Sequence, residues 1–101
     1  MNKTFAEAQT ADRRLTLLLG LQGAAQYRGN ALLLRRWCDA FGHAVSLARI
    51  DTDLAWLAEQ GLIKVSTHEG VTVATLTQHG LDVAAGRAEV PGVQVPSPTG
   101  S

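Results

Sequence analysis

The sequence predicts a mainly α fold with one small antiparallel β-hairpin, in the order α-α-α-β-β-α. Three observations predict it. Leu47, Ile50, Leu54 and Leu57 recur at helical spacing behind Ser46, whose hydroxyl can accept a free first-turn amide. Gly61 can take the left-handed conformation that closes a helix, and beyond it the period drops to two, with Ile63 and Val65 alternating with Lys64 and Ser66. His68-Glu69-Gly70 then separates that run from the β-branched Val71-Thr72-Val73, so the two runs fold back on each other.

The remaining elements follow in chain order. Thr4-Phe5-Ala6-Glu7 has capping-box spacing. The first secure helix is predicted over about residues 11–24, with residues 1–10 as an N-terminal lead. Leu15, Leu18 and Leu19 give it a buried face, and Arg13, Arg14 and Gln22 read as its solvated side. Gly20 and Gly23 each cost about 1 kcal/mol inside a helix, which suits close packing against a neighbour. Residues 26–29 read as a loop by their glycine. Asn30 caps a second helix running to about Phe41, with Leu33, Leu34, Trp37, Cys38 and Phe41 as its apolar side and Arg35, Arg36 and Asp39 opposite. Gly42 ends it, and the tight turn His43-Ala44-Val45 leads into the third helix, which fits a helix–turn–helix. Thr77 caps a short last helix over residues 78–85, stopped by Gly86. The domain is thus expected over residues 11–86. Residues 87–101, rich in Pro, Gly and Val, are expected as a flexible tail, an extended arm on a partner being the alternative.

Composition narrows the function. Nine basic residues balance nine acidic ones, which argues against a generic nucleic-acid-coating protein. The halves are unequal: residues 1–49 hold seven Lys/Arg against three Asp/Glu, and residues 50–101 hold two against six, an asymmetry that allows a local basic face. Cys38 is the single cysteine, which excludes an intrachain disulfide, and no Cys/His spacing fits a zinc site. No apolar run reaches the length of a membrane span, and the N-terminus has no signal-peptide core, so a cytoplasmic protein is expected. No enzyme is expected either. His43, His68 and His79 sit in separate loops or helix starts, none has a nucleophile at a recognisable spacing, and no phosphate loop is present. Asp51 and Asp53, two apart, diverge around a helix and read as surface charges. No cofactor or metal is expected.

The segment Leu54-Ala55-Trp56-Leu57-Ala58-Glu59-Gln60-Gly61-Leu62-Ile63 resembles the junction of recognition helix, Gly-Leu-Ile and wing in winged helix–turn–helix regulators. Leu76-Thr77-Gln78-His79-Gly80-Leu81 resembles their step from the wing into a C-terminal helix. More narrowly, Arg28-Gly29-Asn30, Gly42-His43-Ala44-Val45-Ser46, Asp53-Leu54-Ala55-Trp56-Leu57 and residues 86–98 resemble small arsenical-repressor-like proteins of Mu-like phages and prophages. The likeness covers about residues 11–98. It implies a DNA-binding transcription regulator in the cytoplasm of a bacterial host. Metal sensing is not carried over, because the third helix has no Cys or His and Cys38 alone cannot build a soft-metal site.

In such a fold the third helix enters the major groove and its outward side chains meet base edges. Burying the leucine stripe turns Arg49, Thr52, Trp56 and Glu59 outward. Arg49 is placed to contact a base, and Ser46 and Thr52 to bond phosphate or base edges. Arg28, Arg35, Arg36, Lys64 and the wing-tip His68 complete the expected double-stranded DNA contacts. Asp51, Asp53 and Glu59 on the same helix oppose a polyanion. Outward Trp56 suggests a protein partner instead, unless it packs beneath the wing or the last helix. A homodimer is also expected, with Leu17 and Leu21 of the leucine-rich first helix as its surface.

Overall fold

The computed structural model describes residues 3–97. The chain runs α1 (Phe5–Gln22), a 3-10 turn (Ala25–Tyr27), β1 (Arg28–Asn30), α2 (Ala31–Ala40), α3 (Leu47–Glu59), β2 (Ile63–His68), β3 (Val71–Leu76) and α4 (Gln78–Ala84). It is a mainly α fold with a small antiparallel sheet, as the periodicity predicts, but the sheet has three strands in the order β1-β3-β2. The extra strand joins the end of the expected loop to the cap of the second helix: Arg28, Gly29 and Asn30 pair with Thr75, Ala74 and Val73. Three residues around a glycine carry no alternating pattern, and only the tertiary pairing makes them a strand.

Local chemistry sets the helix starts. Thr4 accepts from the Glu7 amide while the Glu7 carboxylate accepts from the Thr4 amide, so the capping box closes and α1 begins at Phe5. Residues 5–10 of the expected N-terminal lead are therefore the first turns of α1, and residues 1 and 2 lie outside the described residues. Asn30, Ser46 and Thr77 each accept the amide three residues on, at the starts of α2, α3 and α4. The hairpin turns at Glu69 and Gly70, both at positive φ, which matches the twist of the strands they join.

α1 lies through the middle of the core. Leu17, Leu18 and Leu21 are fully buried against Ile50, Leu54 and Leu57 of α3 and Leu62 beyond it. Leu17 and Leu21, expected as a dimer surface, are thus core residues, because α2, α4 and β3 pack against α1. Gly80 lets α4 close over this core, since a side chain there would overlap the Leu62 carbonyl oxygen.

Two charged residues expected at the surface lie inside. Arg13 is 6% exposed and Asp53 2%. Arg13 Nε and Nη2 donate to the two oxygens of Asp53 at 2.5 and 3.2 Å, a forked pair that ties α1 to α3. Either charge alone in that position would be several kcal/mol uphill, so the pair is kept together.

Residues 87–97 return across the domain instead of leaving it. Val93 is buried in the core, and the Gln94 amide donates to the Ala11 carbonyl. Arg14 donates to the Gly92 carbonyl oxygen at 3.0 Å and lays its guanidinium 3.7 Å from the centre of the Trp56 ring. Gly92 has a positive φ, and a side chain there would come within 2.9 Å of the indole. Trp56 is therefore not an outward anchor. It is half-buried between Arg14 and the returning segment. The last part of the expected tail, residues 98–101, lies outside the described residues.

Candidate functional site

The surface formed by α2, the turn after it and the start of α3 carries Arg35, Arg36, Ser46 and Arg49, four of the eight residues expected to contact DNA. The turn is fixed by Gly42 at positive φ and by His43, whose amide donates to the Cys38 carbonyl and whose Nε2 lies 2.7 Å from Asp12 Oδ2 on α1. The chain then reaches Ser46, and α3 begins. Arg35, Arg36 and Asp39 line a groove of about 330 Å³ with Ala44 and Val45, the two residues ahead of that cap. Arg49 is exposed in the first turn of α3. Arg35, Arg36 and Arg49 form no ion pair among the described residues. They stand about a helix N-terminus, whose unpaired amides add a partial positive charge.

Other expected contacts are placed differently. Ser46 already accepts from the Arg49 amide, and Thr52 donates its hydroxyl to the Ala48 carbonyl, so each keeps only part of its bonding capacity. Lys64, Thr75 and Arg28 form one row across the sheet. Side chains alternate between faces along a strand, and the neighbouring rows holding Ile63, Leu76 and Ala74 face the core. Arg28 and Lys64 consequently share the outer sheet face, away from α3. His68, at the end of β2, is exposed on that same outer face. The inner face of the hairpin meets α3 at a cavity of about 190 Å³ lined by Asp51, Leu54, Ala55, Val65, Thr67 and Thr72. Asp51 and Glu59 remain exposed on α3, while Asp53 leaves the surface altogether.

Cys38 is buried in α2, and burial, with the Asp53 charge nearby, pushes its thiol up from the ordinary 9.0 to about 12. At neutral pH it stays protonated and does not act as a nucleophile. Among the described residues no group of three His, Cys, Asp or Glu could hold a metal ion. No helix there is long and apolar enough to cross a membrane.

A protein of Escherichia phage Mu, uncharacterized protein gp26, is 44% identical over 89 residues, covering 88% of this chain and 92% of that relative. An uncharacterized protein of Haemophilus influenzae is 37% identical over 79 residues, 77% of this chain and 76% of the relative. The chain belongs to the gp26 family of phage Mu. The kinship with small phage proteins expected from the sequence is shown by this match, and neither relative's name states a role. No protein-family model matches the chain. No solved structure matches it.

Within this gp26-family chain the sequence missed one surface. Five apolar residues were assigned to the buried side of α2, but only Leu34 and Cys38 are buried, and Leu33, Trp37 and Phe41 stand at the surface. The five positions fall within about 140° of the helix, a normal width for a core-facing stripe, so the sequence does not say that only the Leu34–Cys38 edge is covered.

Proposed function

We propose that this chain is a winged-helix protein that binds double-stranded DNA, a transcription regulator of phage or prophage origin, with α3 in the major groove. Helix, turn, helix and hairpin follow one another in the order that reading needs, and β1 adds a strand without displacing them. The observation that carries the proposal is the placing of half-buried Arg35 and exposed Arg36 on the groove ahead of α3, with Arg49 exposed in the first turn of that helix; none of the three forms an ion pair among the described residues, although Asp39 shares the groove. Arg35 and Arg36 take phosphates on either side of the groove, and Arg49 reads a base edge from the first turn of α3. Removal of Asp53 into the core supports this reading, because it takes a carboxylate from the face that meets the polyanion. A pure protein-interaction role loses its original support, since Trp56 is engaged by Arg14 and Gly92.

The test is a mobility shift of the full chain on a library of phage and host duplex fragments at low salt. Binding is expected. Arg49→Ala relaxes discrimination between fragments by about 1–3 kcal/mol, the range of one bidentate base contact. A chain that shifts no fragment, or whose fragment preference survives Arg49→Ala, contradicts the proposal.

A further inference from the structure

We propose that the chain pairs with a second copy of itself through the exposed edge of α2, in an antiparallel two-fold contact centred on Trp37. Leu33, Trp37 and Phe41 lie four residues apart on one stripe and are 55%, 38% and 58% exposed. α1 covers one side of the stripe only. The Trp37 ring rests on Gly20, where an added methyl would come within 2.8 Å of it, and its Nε1–H donates to the Thr16 carbonyl oxygen at 2.7 Å. The Phe41 ring sits 4.5 Å from it, centroid to centroid.

The two ends of the stripe are unlike. Beside Leu33 the surface opens into an apolar cavity of about 180 Å³, lined by Gly20, Leu21, Ala24, Gly29 and Trp37 with Arg28 among its walls. At the other end the Phe41 ring projects. The exposed carboxylate of Asp12 lies at that end, because it meets His43 two residues past Phe41. One end is therefore hollow and positive, and the other is filled and negative.

Residues 33 and 41 are equally far from 37. A two-fold axis through Trp37, with the two α2 helices antiparallel, sets Phe41 of one copy over Leu33 of the other, and the same contact recurs on the far side of the axis. Phe41 enters the partner's cavity while Asp12 approaches the partner's Arg28. Shape and charge both match only when the second surface is a copy of the first, and this names the occupant. Leu33 and Phe41 are about 12 Å apart along the helix, so the two sockets do not compete. Arg35 and Asp39, each two residues from Trp37, lie nearly opposite the stripe, so their side of the groove stays open in the pair, with Arg36 nearer the contact. The inference stands independently of the DNA reading.

Sedimentation equilibrium of the full chain over a wide concentration range tests it. A reversible dimer is expected. Leu33→Glu and Phe41→Glu, both at exposed positions, each weaken pairing by about a hundredfold or more. Their thermal melts by circular dichroism are expected to match the parent. Phe41→Ser, which removes the projecting ring without adding charge, carries the same expectation if a glutamate lowers the melt. A chain that stays monomeric throughout, including one whose α2 edge instead takes a different protein, overturns the inference. So does a dimer that Phe41→Ser and Leu33→Glu leave unchanged, or an assembly that grows beyond two copies.

Discussion

Arg13 and Arg36 carry the same charge on adjoining helices and meet opposite conditions. Arg13 lies in the seam between α1 and α3, buried and forked onto Asp53. Next to it Arg14 bonds Gly92 and covers Trp56. Arg36 lies on the rim of α2, exposed beside Arg35 and with no acid bound to it among the described residues. The seam uses its cations to hold helices and the returning C-terminal segment together. The rim leaves its cations to solvent. The seam takes Asp53 off the surface of α3 and one cation off α1 with it, so the remaining charge of the chain stays balanced and the basic character of the rim is local.

If that division is right, substitutions in the seam lower stability and substitutions on the rim do not. The largest effect is expected for Asp53→Ala, which leaves Arg13 buried and unpaired. Denaturant unfolding should show a loss of about 3–5 kcal/mol, and a loss below about 1 kcal/mol would mean the pair is not shielded as described. Trp56→Ala should follow, at about 2–3 kcal/mol for a half-buried indole with its stacked guanidinium, and should also free residues 87–97 to proteolysis.

A smaller effect is expected from pH. The Cys38 thiol is raised in the folded chain, so folding favours its protonated form. Between the ordinary 9.0 and about 12 the unfolded chain loses that proton while the folded chain holds it. Stability from this group is therefore whole below about pH 9 and falls as pH rises, by up to about 1.4 kcal/mol per unit. Cys38→Ala should flatten that alkaline limb, and an unchanged limb would contradict the assignment. The smallest effect belongs to the rim: Arg35→Ala, Arg36→Ala and Arg49→Ala should each move unfolding stability by less than about 0.5 kcal/mol.

The same contrast explains what the sequence made legible. Caps and stops are local chemistry, so Asn30, Ser46, Thr77 and Gly61 marked helix limits that the structure keeps. The hairpin was legible because alternation and a Glu-Gly turn are local too. Buried charge was not read, although a trace of it was present. Arg13 lies four residues before Leu17, and Asp53 lies between Ile50 and Leu57, so each falls within a leucine stripe. Opposite charges set into two such stripes point to a pair between helices. β1 left no comparable trace, since its partner strand is more than forty residues away. Arg36 and Arg49 were identifiable as exposed by their place on α2 and α3, and Arg35 is half-buried beside them. Their grouping depends on the turn at residues 42–45, and the departure of Arg28 and Lys64 to the other sheet face depends on register.

The most direct test of the rim as a DNA surface is the salt dependence of duplex binding, measured by fluorescence anisotropy for the parent chain and for Arg35→Gln/Arg36→Gln. Each phosphate contact contributes about 0.9 to the slope of log affinity against log salt. The double substitution is therefore expected to reduce that slope by about 1.8 while leaving the unfolding midpoint in place. An unchanged slope, with folding equally unchanged, would contradict the account.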